Sequence, residues 1–290
     1  MNWIGKKLWF TLLFLLTFTF LNGSSIYAMS AEIPGRQVDV KVMTYNIHTG
    51  IGADGKYDLM RIANVIRNSG TDIIGLQEVD VHWSSRSQYQ NQIELLANEL
   101  DMFYFFAPIY SFDPLVEGEP RREYGVAILS KHPIIEATNR DIARLSTQEA
   151  NPVPKPAPGY LEALINVKGS KVWVYVTHLD YRGDPTVRQM QVADMLNISG
   201  QHEYNIIAGD MNAGPGAPEL QPLFEKYVDT WRVTNEGTGL TYPAVNPSKR
   251  IDYILSSPLM DVKASQVIDT HASDHLPVIA EITLLRGNQP

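Results

Sequence analysis

Eight polar or charged side chains with the types needed for catalysis lie at or near the ends of predicted strands, each next to a turn. They are Asn46, Glu78, His178, Asp210, Asn212, Asp252, Asp274 and His275. Rigid strands place side chains accurately and the adjoining loops leave room for a ligand, so such positions suit catalytic residues. Each residue alone also has an ordinary structural explanation, such as a turn, a solvated strand end or a hydrogen-bonded core histidine. Their recurrence at strand ends favours a common site.

The chemistry of this set indicates a site for a hard divalent cation. Carboxylate and amide oxygens suit Mg²⁺ or Mn²⁺ rather than zinc, and the chain has no cysteine that could supply a thiolate. Substrate phosphate oxygens commonly complete such a site. Histidines close to carboxylates can donate protons to the negative charge that develops in a phosphoryl transition state. The residues therefore favour phosphoester chemistry.

Apolar patterning predicts about ten strands and three clear helices around these residues. The predicted strands are 38–46, 72–79, 103–110, 124–129, 161–167, 171–177, 205–208, 250–255, 262–268 and 277–284, and the helices are 59–66, 93–100 and 187–196. A hairpin turning at residues 168–170 excludes a purely parallel sheet. We therefore predict an α/β fold in which two mixed sheets pack face to face with helices outside. The proline-rich stretch 151–159 is predicted as an extended surface loop, because each proline lacks an amide donor.

The first thirty residues have the layout of an export signal. Lys6 and Lys7 precede an apolar run at 8–21, and Ala28 fits a cleavage site. The run is shorter than the roughly 20 residues that span a bilayer as a helix. We therefore predict a signal peptide at 1–28, a linker at 29–37 and a single catalytic domain at 38–286. The domain is expected to be secreted or extracytoplasmic, and the alternative is tethering to the membrane by an uncleaved leader.

The charge balance limits the classes of partner. The chain has 24 Lys and Arg against 32 Asp and Glu, a formal net charge of −8, and loss of the leader would remove two lysines. Binding along a nucleic-acid backbone normally requires a basic surface, so this balance argues against a dedicated DNA-binding module. It leaves open a nuclease that depends on its cation and a few arginines. Without cysteine the chain forms no disulfide and has no cysteine nucleophile.

Seven short motifs carry a resemblance to a known family. In chain order they are TYNIH (44–48), LQEV (76–79), YGVAILS (124–130), THLD (177–180), GDMNA (209–213), RIDYI (250–254) and SDHLPV (273–278). This ordered set, which covers almost the whole predicted domain, resembles that of the endonuclease/exonuclease/phosphatase superfamily. The resemblance implies a four-layered α/β sandwich and metal-dependent hydrolysis of a phosphoester by activated water, with Mg²⁺ or Mn²⁺ as the cofactor.

The resemblance also implies a role for each matching residue. Glu78 would be the principal metal ligand, with Asn46 and Asp274 beside it. Asp210 would orient and deprotonate the attacking water, and Asn212 would hydrogen-bond the phosphate or that water.

The two histidines would stabilise the transition state. Asp252 would hold His275 protonated against a phosphate oxygen, since a carboxylate partner raises the pKa of a histidine. His178 would stabilise the negative charge of the transition state from another side of the phosphate. Many relatives carry an acidic residue that orients this histidine, but here the equivalent stretch reads Pro-Ala-Pro-Gly at 156–159. Either Glu162 or Glu123 substitutes for it, or His178 acts without such a partner.

The motifs identify the chemistry and leave the substrate open. A phosphodiester is the favoured substrate class, and a lipid-linked or a nucleic-acid phosphoester is compatible with it. Specificity is expected from the loops 81–90, 111–123, 139–160 and 213–247. The substrate-binding candidates are Tyr124, Arg122 and Arg86, and further loop candidates are Trp83, Arg121, Tyr160, Tyr181, Arg182 and Tyr242. The alternatives are a secreted DNase-type endonuclease, which would need a basic stripe built from Arg86, Arg121, Arg122 and Arg182, and a non-catalytic scaffold of the same fold. We expect a monomer with no obligate protein partner.

Overall fold

The computed structural model describes residues 37–287, which form twelve β-strands and five α-helices. The strands are β1 (Gln37–Asn46), β2 (Ile73–Val81), β3 (Phe103–Phe112), β4 (Arg122–Ser130), β5 (Ile134–Arg144), β6 (Lys155–Val167), β7 (Ser170–His178), β8 (Asn205–Asp210), β9 (Val228–Asp229), β10 (Asp252–Ser256), β11 (Asp261–Val267) and β12 (Val278–Leu285). The helices are α1 (Leu59–Ser69), α2 (Gln92–Leu100), α3 (Thr186–Ser199), α4 (Gln221–Lys226) and α5 (Thr230–Thr234).

The strands form two six-stranded mixed sheets. The first has the order β11-β12-β1-β2-β4-β3 and the second has the order β5-β6-β7-β8-β10-β9. Each sheet contains one parallel pair, β1 with β2 and β7 with β8, among antiparallel neighbours. The predicted fold class, an α/β sandwich with two mixed sheets, is confirmed.

Alternate residues along the strands point to two different apolar layers, as the two-residue period of a strand requires. One face of each sheet meets the other sheet, so Val40 and Val42 share a core with Val174 and Val176. The outer face of the first sheet packs against α1 and α2, and the outer face of the second packs against α3 and α4. The order of layers is therefore helix, sheet, sheet, helix.

The helix boundaries follow from local capping. Asp58 accepts a hydrogen bond from the Met60 amide at the start of α1, and Gly70 ends the helix in the left-handed conformation with φ of 68°. Asn91 caps α2 in the same way through the Glu94 amide. These caps fix where the two helices that pack on the first sheet begin.

The two parallel pairs bring the predicted site residues to one edge of the sandwich. Parallel neighbours end on the same side, so β7 and β8 present His178 and Asp210 next to each other in register. β10 begins at Asp252, directly opposite Asp210. Asn46, the last residue of β1 in the other sheet, donates from Nδ2 to Asp210 Oδ2 at 3.0 Å. This hydrogen bond joins the edges of the two sheets.

Two predictions about the second sheet are wrong. β5 was absent from the predicted strands, because it is an edge strand in which only Ile142 and Ala143 are buried, and it shows little apolar alternation. The stretch 151–159 was predicted as a loop, but β6 begins at Lys155 and its residues 155–157 pair with 142–144 of β5. β7 pairs with β6 only from Leu161 onward. Proline is tolerated there because this part of β6 has a partner on one side only.

No helix within residues 37–287 has the length and apolar character needed to cross a membrane. The predicted signal peptide at 1–28 and residues 29–36 of the predicted linker lie outside the described part of the chain. Export and cleavage after Ala28 therefore stay predictions.

Candidate active site

A cavity of about 690 Å³ opens at the edge where the strand ends meet. Six of the eight predicted site residues line it: Glu78, His178, Asp210, Asn212, Asp274 and His275. The other two, Asn46 and Asp252, are buried and contact lining residues from behind. The structure therefore brings the whole predicted set together, drawn from both sheets.

Glu78 lies in an irregular part of β2. The pairing of β2 with β4 shifts register between Leu76 and Val79, and Glu78 has a φ of 59°, in the left-handed region. A non-glycine residue in this region carries a backbone cost of order 1–3 kcal/mol, which is typical of functional positions. The β-bulge places the half-buried Glu78 side chain in the cavity wall.

Asn46 holds two carboxylates in position. Its Nδ2 donates to Glu78 Oε1 at 3.2 Å and to Asp210 Oδ2 at 3.0 Å. Its Oδ1 accepts the His48 amide at 3.0 Å. In this arrangement Asn46 positions Glu78 and Asp210, and its predicted role as a direct metal ligand stays a prediction.

A buried network of charged groups lies behind Glu78. Asp252 Oδ2 hydrogen-bonds His275 Nδ1 at 3.0 Å, and His275 Nε2 is 3.8 Å from Asp210 Oδ2. His178 Nε2 approaches the same Asp210 oxygen at 3.6 Å. Asp210 is further fixed by the Asn212 amide, which donates to Oδ1 at 2.9 Å.

The environment shifts the pKa values of two network members. Burial lowers the pKa of His275, but the Asp252 carboxylate, with Asp210 and Asp274, outweighs it and raises the pKa from 6.5 to about 10. Burial raises the pKa of Asp210, the Asp252 charge adds to this, and His275 and His178 oppose it. Near neutral pH His275 is therefore protonated, and Asp210 is a stronger base than an ordinary aspartate.

Asp210, Asp252 and His275 are close enough for their ligating atoms to share a metal ion, all lying within 4.8 Å. The protonation of His275 argues for a different use. A protonated imidazole has no lone pair for a metal, and Asp252 Oδ2 is already taken by that imidazole. This group is better suited to holding and moving protons.

Glu78 and Asp274 fit a divalent cation better. Both carboxylates line the cavity, and Asp274 is about one-third exposed, with Oδ1 3.6 Å from His48 Nδ1. Carboxylate oxygens at a solvent-open wall suit Mg²⁺ or Mn²⁺, which keep several water or phosphate ligands. These residues would hold the cation beside the proton-holding network.

The structure decides between the alternatives for His178. Glu162 is buried and accepts hydrogen bonds from Arg140 and Tyr175, and Glu123 accepts one from Ser111. Neither carboxylate contacts His178, so of the two alternatives the structure favours the second, in which His178 acts without Glu162 or Glu123 as its partner. The carboxylate that contacts its imidazole is Asp210 itself.

The substrate-binding candidates divide into two groups. Tyr124 and Arg86 line the cavity. Arg122 lies outside it, because its Nε donates to the Asp113 carbonyl and its guanidinium lies over Phe112. Among the loop candidates Trp83, Tyr181 and Tyr242 also line the cavity, whereas Tyr160 is fully buried and stacks on Tyr175.

Sequence reasoning missed several cavity residues. Among them are His48, Tyr110, Arg144, Thr147, Gln148 and Lys249. His48 ends the first motif, which could have identified it. Arg144 ends the edge strand β5, whose exposed pattern carries no comparable sequence signal.

Comparison with known proteins agrees with this geometry. A model of the endonuclease/exonuclease/phosphatase family matches residues 43–275. The uncharacterized protein YbhP of Escherichia coli K12 is 27% identical over 267 residues, covering 86% of this chain and 98% of YbhP. An endonuclease/exonuclease/phosphatase structure from Beutenbergia cavernae superposes with a TM-score of 0.70 at 26% identity, covering 86% of this chain and 72% of that one.

Two more distant structures share the fold. The catalytic domain of human Nocturnin with bound sulfate has a TM-score of 0.63 at 20% identity, covering 86% of this chain and 96% of that one. The mannosyl-6-phosphatase Bt3783 of Bacteroides thetaiotaomicron has a TM-score of 0.63 at 18% identity, covering 84% of this chain and 99% of that one. With a family match over most of its length and the motif residues gathered at one cavity, the chain belongs to the endonuclease/exonuclease/phosphatase family.

Proposed function

We propose that the protein hydrolyses a phosphodiester, using water activated in the cavity and Mg²⁺ or Mn²⁺ held by Glu78 and Asp274. The family consists of metal-dependent phosphoesterases, including nucleases and phosphatases. The observation that carries the proposal is the buried network of Asp210, Asp252 and His275, joined to Glu78 through Asn46. The bound cation would act as a Lewis acid and offset negative charge on the phosphate and the leaving oxygen.

Asp210 is placed to receive the proton of the attacking water. Its two carboxylate oxygens are fixed by the Asn46 amide group and the Asn212 backbone amide, so its orientation is preorganised. Its raised pKa favours acceptance of that proton. As the water oxygen bonds to phosphorus, the bond from phosphorus to the leaving oxygen breaks, and the alkoxide takes up a proton from solvent to leave as the alcohol.

His275 and His178 stabilise the negative charge that develops on the phosphate oxygens. Asp252 on the far side of the ring keeps His275 protonated, so its Nε2 proton is available to an acceptor in the cavity. Both imidazoles approach Asp210 Oδ2, at 3.8 and 3.6 Å, which places them around one reacting position.

The cavity offers more room than a phosphate requires, which supports an organic ester. We define the aromatic wall as Trp83, Tyr110 and Tyr124, which line the cavity, together with Phe112, which does not line it but contacts Trp83 and Tyr110. Neighbouring rings of this wall have centroids 5.6–6.3 Å apart. Burial raises the pKa of the Tyr124 hydroxyl and the Glu78 carboxylate adds to the shift, so Tyr124 lies within electrostatic reach of the carboxylate proposed to hold the cation. The alcohol part of a substrate would lie along it.

The four arginines required by the nuclease alternative have partners within the protein. Arg86 pairs with Asp80, Arg121 with Asp113, and Arg182 with Asp180. Arg122 lies over an aromatic ring outside the cavity. Carboxylates offset the charge of three of these four arginines, so the set does not form the basic stripe that a nucleic-acid backbone requires. We therefore favour a small or lipid-linked diester over duplex DNA.

A substrate panel tests the proposal. Duplex DNA, RNA, sphingomyelin, glycerophosphodiesters and inositol phosphates are incubated with Mg²⁺, Mn²⁺ or Ca²⁺, with excess chelator as the blank. We expect metal-dependent release of product from at least one phosphodiester, and loss of that activity in Asp210→Asn. Absence of hydrolysis for every substrate and metal would support the scaffold alternative.

We further propose that the protein acts outside the cytoplasm as a monomer. The support for export is the leader-like composition of residues 1–28. Amino-terminal sequencing of the exported protein is expected to begin at or close to Met29. Recovery of the intact chain from membranes would indicate a tethered domain, and light scattering checks the mass in solution.

A further inference from the structure

Arg144 carries a charge in the cavity wall that no carboxylate of the described chain neutralises. Its Nε donates to the Pro158 carbonyl at 2.7 Å, its Nη1 to the His178 carbonyl at 3.2 Å and its Nη2 to the Gly159 carbonyl at 2.7 Å. All three acceptors are neutral. Within residues 37–287, no carboxylate oxygen lies within the 4.0 Å of an ion pair with this guanidinium.

Other arginines of the second sheet and its surroundings show the usual arrangement. Arg140, Arg188 and Arg250 each pair with a buried carboxylate, namely Glu162, Glu219 and Asp229. Burying a cation without a counter-charge costs free energy, so natural proteins rarely do so without a reason. Arg144 therefore differs from these three arginines because no carboxylate offsets its positive charge, and that charge is available to bind an anion.

The backbone is built to accommodate this guanidinium. Gly159 has a φ of 118°, and a Cβ at this position would lie 2.7 Å from Arg144 Nη2 and 2.3 Å from Ile109 Cγ1. Only glycine fits, because a side chain would both strain the backbone and displace Arg144. Gly159 therefore leaves the space that the guanidinium occupies next to the His178 carbonyl.

The guanidinium keeps donor capacity for a ligand. Arginine has five N–H groups, and the three backbone carbonyls engage one on each nitrogen, which leaves two on the terminal nitrogens. Burial lowers its pKa to about 10, so the group stays charged at neutral pH. The titratable groups that act on it are Tyr110, Tyr124 and Asp180, and Asp180 is itself bonded to Arg182.

Arg144 lies between the aromatic wall and the end of β7. The nearby segment 145–148 is tied to the wall, because the Thr147 amide and hydroxyl both donate to Tyr110 Oη. Arg144 itself contacts the proposed catalytic set only through the backbone carbonyl of His178 and makes no hydrogen bond to Glu78 or Asp210. Its free donors are therefore available to a part of a ligand that lies against Tyr110.

We propose that Arg144 binds a second anionic group of the substrate, a phosphate or a carboxylate carried on the alcohol part that lies along Tyr110 and Tyr124. The proposal rests on the proposed function, because it places the scissile phosphate at Glu78 and Asp210. It narrows the substrate class to phosphoesters with a second oxyanion a short chain away. A planar guanidinium recognises either oxyanion through charge-assisted hydrogen bonds.

Non-hydrolysable ligands of matched length test this assignment without turnover. Three phosphonate series, with a terminal methyl, carboxylate or phosphonate group on alkyl chains of increasing length, are titrated by calorimetry into the full-length protein in Mg²⁺. At one chain length, we expect a terminal anion to strengthen binding roughly tenfold or more over methyl. The carboxylate and phosphonate arms show which oxyanion is preferred. Equal binding of all three series at every length would overturn the proposal.

Two variants test whether this increase in affinity depends on Arg144. Arg144→Gln should remove the gain while binding of the methyl series stays within about twofold, and Arg67→Gln, an exposed arginine remote from the cavity, should change neither. If the terminal anion still strengthens binding to Arg144→Gln, the proposal is overturned. An equal loss of affinity for all three series would also overturn it, because it would indicate a role at the scissile phosphate or in folding.

If Arg144→Gln does not fold, Arg144→Lys provides the comparison. Lysine keeps the positive charge but lacks the planar guanidinium that donates two parallel hydrogen bonds. The increase in affinity caused by the terminal anion should therefore fall several-fold. An unchanged increase would count against the role of Arg144. The substrate panel separates the two proposals. Hydrolysis without an anion-dependent gain refutes only the role of Arg144, whereas a gain without hydrolysis refutes only the catalytic function.

Discussion

The two ends of the cavity differ in whether their charged side chains have partners of opposite charge. At the reacting end, carboxylates and imidazoles from both sheets contact one another directly, as Asp252, His275 and Asp210 do. Along the aromatic wall, Arg144 is held by carbonyl groups alone. The reacting end is suited to proton transfer between its side chains. Along the aromatic wall, the positive charge of Arg144 is available to a ligand. A substitution at the reacting end should therefore affect kcat, and one along the wall should affect KM.

The largest effect is expected at Glu78. Glu78→Gln keeps the shape of the side chain and removes the charge that would hold the cation, so we expect a loss of activity of roughly 10³-fold or more. The melting temperature should stay within a few degrees of the parent, because Asn46 can still donate to the amide oxygen. Hydrolysis in the panel assay and calorimetric titration of Mg²⁺ measure both effects.

The matched control for Glu78 is Glu99→Gln, which changes a surface carboxylate paired with Arg67. It should leave activity and metal affinity unchanged. Undiminished hydrolysis by Glu78→Gln in excess chelator would show that the carboxylate pair at the cavity wall does not hold a required cation.

A loss of at least about 10²-fold is expected for Asp210→Asn and for His275→Ala, the usual size of the effect of an acid, base or electrostatic group. Both variants should fold, as judged by circular dichroism. If both failed to fold, the buried network would have to be regarded as structural, and the contrast between the two ends would be lost.

The His275 and Asp252 pair also predicts a pH dependence of stability. The pKa of His275 is raised from 6.5 to about 10 in the folded state, so its contribution is fully present below pH 6.5 and is lost as pH rises through about 10. The free energy of unfolding should decline across this window. Urea titrations of the parent and of Asp252→Asn measure it, and the decline should be much weaker in the variant. An identical decline in both proteins would exclude this pair as its source.

A smaller effect, roughly tenfold and confined to KM, is expected for Gly159→Ala. The added Cβ displaces Arg144 and strains a backbone with positive φ, so the melting temperature should also fall. Gly183→Ala is the control, because its Cβ would meet no atom within 4 Å. Steady-state kinetics on the best substrate of the panel measure kcat and KM separately. A change in kcat alone would contradict the assignment of the aromatic wall to binding.

The smallest effect is expected for the surface arginines. Arg121→Gln and Arg122→Gln should each change cleavage of duplex DNA by less than about threefold, because both side chains are engaged outside the cavity. DNA should also be a poorer substrate than a small diester at equal metal and moderate salt. If DNA proves the best substrate and these variants selectively abolish its cleavage, the secreted nuclease alternative is correct.

Much of the fold, and the set of side chains that meets at the cavity, could be predicted because the signals are local. The strand β1 alternates polar and apolar residues from Gln37 to Val42 and continues as a buried run to Asn46, and the strand β8 is a short buried run that ends at Asp210. Residues at the ends of such strands are recognisable from hydrophobic period and turn chemistry alone. The edge strand β5 has no consistently buried face, so the same method missed it and, with it, Arg144.

The sequence by itself determined which side chains could react, the acidic balance of the surface and the two-sheet architecture, since composition and period are properties of short segments. Only the tertiary structure decided how those side chains are used. The hydrogen bond from Asn46 to Asp210 joins residues 164 positions apart, and the partner of His178 proved to be Asp210 rather than Glu162 or Glu123. Contacts of this range arise where two sheets pack together, and local periodicity contains no information about which strand ends will meet.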